Sequence, residues 1–180
     1  MKKYVTDEIY DKYKAAFKLM EEKLDEWDIS DPEIRSEFLA QELQMYLMGS
    51  GCSRVTVELD VNTVIKFINC EEGYKSNARE VALYNKVPEE LKKYLVDILE
   101  YRDKEYDYVV MPLCEPIYED TWEDYELLAS EIVDKFRDAG IRFTDLESYT
   151  NFALMDGEYL VICDYGDYEL IEKTKKLEVF

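Results

Sequence analysis

The 180-residue chain carries 22 basic and 42 acidic residues, a formal charge of −20, and no histidine. The missing imidazole excludes Ser-His-Asp and Cys-His nucleophile pairs, histidine general bases and every His-containing metal site. The acidic excess argues against direct binding to nucleic-acid phosphates and against docking on an anionic membrane, while 47% apolar and 14% aromatic content is too hydrophobic for a disordered tail.

Met1-Lys2-Lys3 leads into Thr6-Asp7-Glu8 rather than an apolar run, so nothing there reads as a signal peptide. No apolar stretch is long enough for a membrane span, and the expectation is a cytoplasmic protein with reduced thiols. Ile9, Tyr13, Phe17, Met20, Leu24 and Trp27 recur at helical spacing and predict an amphipathic helix. Ser30-Asp31-Pro32-Glu33 is a helix restart, with a capping residue, a first-turn proline and an acid at the positive helix end. Ile34, Phe38, Leu39 and Leu43 supply the apolar face of that second helix. Residues 1–48 are therefore read as an N-terminal helical segment, and residues 49–180 as a compact domain.

From Gly49 the period changes. Arg54 to Leu59 alternates, Asp60-Val61-Asn62 turns, and Thr63 to Ile68 is a β-branched run, together a hairpin. A helix is expected from Ser76 to Lys86 and another from Pro88, then strands at Ile98–Tyr101 and Tyr108–Leu113. Residues 121–139 predict a helix ending at Gly140, with Leu127, Leu128, Ile132, Val133 and Phe136 on its apolar side. Phe152–Met155, Asp156-Gly157 and Tyr159–Cys163 form a second hairpin signal. The cysteines at 52, 70, 114 and 163 form no Cys-x-x-Cys pair, so zinc and iron–sulfur sites are not expected and the thiols read as small packed hydrophobes.

Several motifs fall in one order along the chain. Gly49-Ser50-Gly51-Cys52-Ser53-Arg54-Val55 opens the first hairpin and Val64-Ile65-Lys66 lies on its returning strand. Glu80 follows on a helix, then Tyr108 to Met111 and Pro112-Leu113-Cys114-Glu115-Pro116. Asp145 and Asn151 precede the last hairpin, and Asp164-Tyr165-Gly166 closes it. Over residues 46–168 this series resembles the protein-kinase-like fold, most closely the small kinase-like proteins of tailed bacteriophages. The resemblance implies an α+β fold: an antiparallel N-lobe sheet with a helix and a much reduced C-lobe, preceded by the two helices. It also implies ATP and magnesium as cofactors. Gly49 and Gly51 would let backbone approach phosphate, Lys66 would contact phosphate with Glu80 as its partner, and Asn151 and Asp164 would hold the metal. Met111 to Cys114 would be the hinge for an adenine edge, and the compartment would be the host cytoplasm.

The departures bear on activity. The glycine loop is one residue shorter than G-x-G-x-x-G-x-V, and Arg54 stands near the third glycine, where it can contact phosphate or fill the pocket. Five residues before Asn151, where the base of H-R-D-L-x-x-x-N belongs, stands Leu146. Asp145 becomes the catalytic base only if a one-residue bulge restores it. Fourteen residues follow Gly166, without an Ala-Pro-Glu signature or room for an activation loop and helical lower lobe.

Charge is uneven. Asp97 to Lys135 holds 13 acids against three bases, and Glu115 to Asp134 holds eight acids and no base. Glu119, Asp120, Glu123 and Asp124, with Trp122 among them, read either as a solvated face or as a docking face for a basic protein partner. Three readings follow. The first is a kinase-like protein, a pseudokinase or weakly active, that acts through nucleotide and protein binding. The second is an acidic inhibitor that mimics nucleic acid, in the manner of an anti-CRISPR protein, against a nucleic-acid-handling enzyme or defence complex. The third is an active small phosphotransferase.

Overall fold

The computed structural model describes residues 3–27, 31–146 and 149–171. The chain forms two compact units, one of residues 1–82 with 97–113 and the other of residues 83–96 with 114–180. The first unit therefore takes in residues on both sides of the 48/49 position at which the sequence was divided.

In the first unit, α1 (Asp7–Trp27) and α2 (Pro32–Leu43) precede a five-stranded antiparallel sheet. Its strands are β1 (Leu47–Ser50), β2 (Arg54–Asp60), β3 (Thr63–Ile68), β4 (Glu100–Tyr101) and β5 (Tyr108–Pro112), in the order β1-β2-β3-β5-β4. Asp31 caps α2 by accepting from the Glu33 N–H at 2.8 Å, next to Pro32 in the first turn. Asn62 N–H donates to the Asp60 carboxylate at 2.9 Å and so closes the β2–β3 turn.

Strand register sorts the side chains. Val55 lies opposite Phe67, Val57 opposite Ile65, and these continue to Tyr108 and Val110. That face shares a core with Tyr13, Met20, Leu39 and Leu43 of the two N-terminal helices, and Phe67 stacks on Tyr13 at 4.2 Å. Burying each such large side chain is worth about 1.5–3 kcal/mol. The expected α1 stripe is used through Tyr13 and Met20, with Ile9 and Phe17 partly buried; the side chains of Leu24 and Trp27, and Ser30, lie outside the described residues. Ile34 departs from expectation and is 46% exposed. Its place on the buried face of α2 is taken by Ser36, whose hydroxyl donates to Pro32 O and accepts from Asn69 Nδ2. Hydropathy alone could not reveal a buried serine satisfied at both ends.

The opposite sheet face carries Arg54, Thr56, Lys66 and Val109 by the same register. Against it lies α3 (Glu72–Lys86), which starts a turn earlier than expected. A Cβ on its Gly73 would collide with Ser53 O and approach Ile68 Cβ to 2.7 Å, so only glycine permits this close approach.

The second unit contains α4 (Glu89–Lys92), β6 (Glu115–Pro116), α5 (Glu126–Asp138), β7 (Ile141–Phe143), β8 (Phe152–Met155), β9 (Tyr159–Ile162) and β10 (Tyr168–Leu170). Two antiparallel sheets run β6-β8-β9 and β10-β7. Asp156 and Gly157 both have positive φ, 55° and 70°, and with Glu158, whose N–H donates to Met155 O at 3.1 Å, they form a three-residue loop between Met155 and its partner Tyr159. The expected helix from 121 begins as a 3-10 turn at Glu119–Asp124 and ends before Gly140, whose φ is 87°. Its buried positions are Ala129, Ile132 and Phe136. Leu127 and Leu128, expected on the apolar side, are exposed (76% and 44%), and Ala129 is the buried residue of that first turn. Phe136 meets Phe143 edge-on at 5.1 Å.

None of the four cysteines is in a disulfide; Cys52 is exposed and the others are half-buried, so none is the fully packed thiol that was expected. No helix among the described residues is long and apolar enough to cross a membrane.

Candidate functional site

The first unit assembles a buried ionic cluster. β3 presents Lys66 and α3 presents Glu80, with Lys66 Nζ 3.1 Å from Glu80 Oε1. The other carboxylate oxygen, Oε2, receives Arg54 from β2 at 2.8 Å. Glu80 is 0% exposed and both cations are 7% exposed. Asn77, three residues earlier on the same helical face, accepts from Arg54 at 3.3 Å through Oδ1 and donates from Nδ2 to Tyr106 O at 2.8 Å. One carboxylate thus serves two cations, the pairing that makes buried charges tolerable. Arg54, expected either to contact phosphate or to fill the pocket, is here paired with the Glu80 carboxylate.

The connection Gly51–Ser53 links β1 to β2. Gly49 is a strand residue opposite Thr56, and Gly51 N–H donates to Arg54 O at 2.9 Å. Asn69 holds the connection from below, with Nδ2 donating to Gly51 O at 3.1 Å and N–H to Ser53 O at 3.0 Å. Met111 is buried in β5 opposite Val64, and Leu113 N–H donates to Asn62 O at 2.8 Å. The expected hinge, Met111 to Cys114, contains the point at which the two units divide, between Leu113 and Cys114.

The second unit gathers Asp145, Asn151 and Asp164. β7 pairs with β10 through Phe143 and Tyr168, and Thr144 N–H donates to Asp167 O at 3.0 Å. The loop after β7 is thereby fastened to the segment after β9. Asn151 Nδ2 donates to the backbone carbonyl of Asp145, and Cys163 N–H donates to Asn151 O at 2.9 Å. Asp164 is the next residue, and Tyr165 behind it is 1% exposed with its hydroxyl donating to Val96 O at 2.8 Å. Asn151 and Asp164 thus lie at the same end of the β8–β9 hairpin, and their side-chain oxygens are of the type that could hold magnesium, a hard cation that takes oxygen ligands. Asp145 is exposed. Among the described residues, no three Cys, Asp or Glu side chains converge as a metal nest.

Of the expected partner-binding residues, Glu119, Asp120, Glu123 and Asp124 lie together on the 3-10 turn and are exposed. Trp122 is partly buried and packs on Phe152 at 5.4 Å, so this ring contributes to the fold. The exposed apolar groups nearby are Tyr118, Leu127 and Leu128.

Sequence reasoning did not find Asn77 or Gly73. The spacing of Asn77 from Glu80 was the available signal for the first, and nothing local marks the second, whose need arises from a strand end 20 residues back.

No protein-family pattern and no curated protein sequence matches the chain. Among solved structures, the chain is similar to that of WbdD in a co-crystal with the kinase inhibitor LY294002, at 13% identity and a TM-score of 0.48 over 69% of this chain. The chain spans 33% of the length of that protein.

Proposed function

We propose that this is a kinase-like protein, of the kind found in tailed phages, that binds ATP with magnesium and has weak or no phosphotransfer activity. The observation that carries the reading is the buried Lys66–Glu80 pair, made between a central strand and the helix behind it. A strand lysine oriented by a helix glutamate is the arrangement by which kinases hold nucleotide phosphates. Asn151 and Asp164 would hold the magnesium, which when bound neutralises phosphate charge. Gly49 and Gly51 would shape the loop over the phosphates, and Met111 to Cys114 would offer backbone to the adenine edge.

Weak transfer follows from the base. Leu146 stands at the in-register position, and Asp145 is fixed through its backbone carbonyl by Asn151 while its exposed carboxylate is left to water. Phosphoryl transfer to protein substrates is expected well below the ~1–100 s⁻¹ typical of kinases. The test is a thermal or urea melt with and without ATP and magnesium: ligand at 100-fold excess over its dissociation constant adds about 2.7 kcal/mol. An unchanged melt at millimolar ATP contradicts nucleotide binding.

A second reading, inhibition of a basic nucleic-acid-handling enzyme or defence complex, is favoured by one observation. Exposed Leu127, Leu128 and Tyr118 border the four acids of residues 119–124, so apolar anchors and a charged rim occur on one segment.

A further inference from the structure

Away from Lys66, the first unit has an open cleft of about 600 Å³ between α1, α3 and the β4–β5 connection. Its walls are Lys14, Tyr74, Lys75, Lys104, Tyr106 and Asp107, with Ala78 and Glu105 completing them. Three cations converge here although the chain carries −20 overall, and among the described residues none of the three has a carboxylate within 4.0 Å. Glu105 is already paired with Arg102 at 2.5 Å.

Asp107 is the second observation. It is 2% exposed. Its Oδ2 accepts from Tyr10 at 2.5 Å, but its Oδ1 is buried with no hydrogen-bond partner. An unmet buried carboxylate oxygen is rare in folded proteins and calls for a donor. The third observation is the backbone. Lys104 and Tyr106 both have positive φ, 71° and 52°, which for a bulky tyrosine is strained and is retained only where surrounding contacts enforce it. Those contacts are present: Tyr106 N–H donates to Arg102 O, Asn77 Nδ2 donates to Tyr106 O, and the Tyr106 ring stacks on Tyr101. The wall is held in its strained shape before any ligand arrives.

We propose that this cleft binds a small phosphate monoester carrying hydroxyl groups. The three lysines take the phosphate as mobile point charges, and a ligand hydroxyl donates to Asp107 Oδ1. The volume lies within the usual range for small-molecule sites, and phosphate supplies the charge that a carboxylate or a neutral sugar would only partly match. The proposal is independent of nucleotide binding at Lys66.

The test is calorimetric titration of the full chain with glycerol 2-phosphate, inorganic phosphate and glycerol at constant ionic strength. Glycerol 2-phosphate is expected to saturate one site, phosphate to bind more weakly, and glycerol not at all. The double substitution Lys75→Gln with Lys104→Gln, both on the surface, should weaken glycerol 2-phosphate about tenfold or more, as loss of charge-assisted bonds does, whereas Lys66→Met should leave it unchanged. Asp107→Leu, which removes the acceptor, should erase the advantage of the ester over phosphate. Absence of saturable binding, wild-type affinity in the double-lysine variant, or loss of binding in Lys66→Met would each overturn the proposal, the last because it would place the phosphate at the other cluster.

Discussion

Arg54 donates to Oε2 of Glu80 at 2.8 Å and so leaves Oε1 for Lys66. Removing the shared carboxylate is therefore more damaging than removing either cation. Glu80→Gln leaves two buried cations facing an amide, and a loss of about 3–5 kcal/mol is expected in urea denaturation, the cost of an uncompensated buried charge. Lys66→Met, which leaves the Arg54–Glu80 pair intact, should cost less. Equal stability of Glu80→Gln and wild type would show that the cluster carries no structural weight.

Gly73→Ala puts a Cβ against Ser53 O and 2.7 Å from Ile68. Because one obstacle is backbone, the strand end must move, and a loss of about 1–3 kcal/mol is expected, as for other overpacked sites. Amide chemical shifts should change at residues 51–53 as well as at the helix start. A change confined to residues next to Gly73 would mean that the helix, not the loop, gives way.

These two sites mark what a linear reading could and could not supply. Both hairpins were legible, because β-branched alternation and the Asp156-Gly157 pair are local signals read within a few residues. The pairing of Lys66 with Glu80 was legible too. The role of Arg54 was not, since its partner is 26 residues away and no periodicity encodes an ion pair. β1 escaped because Leu47–Ser50 is short and glycine-containing, and gains its identity by pairing with Val55 and Val57. The β7–β10 pair likewise joins segments 25 residues apart, each too short to signal a strand alone.

Alkaline pH probes the tyrosine network of the first unit. Burial, then a hydrogen bond to Asp107, raises the Tyr10 phenol well above its ordinary 10.0, and burial with a bond to Glu100 does the same for Tyr108. A proton held more tightly in the fold stabilises it below the unfolded pKa, and this is lost as pH rises through 10 towards the folded values. Stability should therefore fall above about pH 10. Tyr10→Phe should make that fall shallower, and an unchanged slope would contradict the assignment.

The acidic segment separates folding from binding. Charge reversal at Glu119, Asp120, Glu123 and Asp124 should change stability by no more than about 0.5 kcal/mol, as exposed sites do. With a basic partner in hand, the same variant should associate more slowly, most visibly at low salt, where the Debye length exceeds the ~8 Å of physiological conditions. Trp122→Ala should instead cost about 1–3 kcal/mol of stability through its half-buried contact with Phe152, less than a fully buried ring. A Trp122→Ala variant as stable as wild type would return that ring to the partner surface.

The most direct measurement is calorimetric titration of ATP, with and without magnesium, into wild type, Lys66→Met and Asp164→Asn. Saturable binding is expected in wild type, about tenfold weaker or worse in Lys66→Met through loss of a charge-assisted phosphate contact. In Asp164→Asn the dependence on magnesium should disappear while metal-free affinity is kept. Binding that ignores both substitutions, or no binding by wild type, would contradict a kinase-like nucleotide site built on these residues.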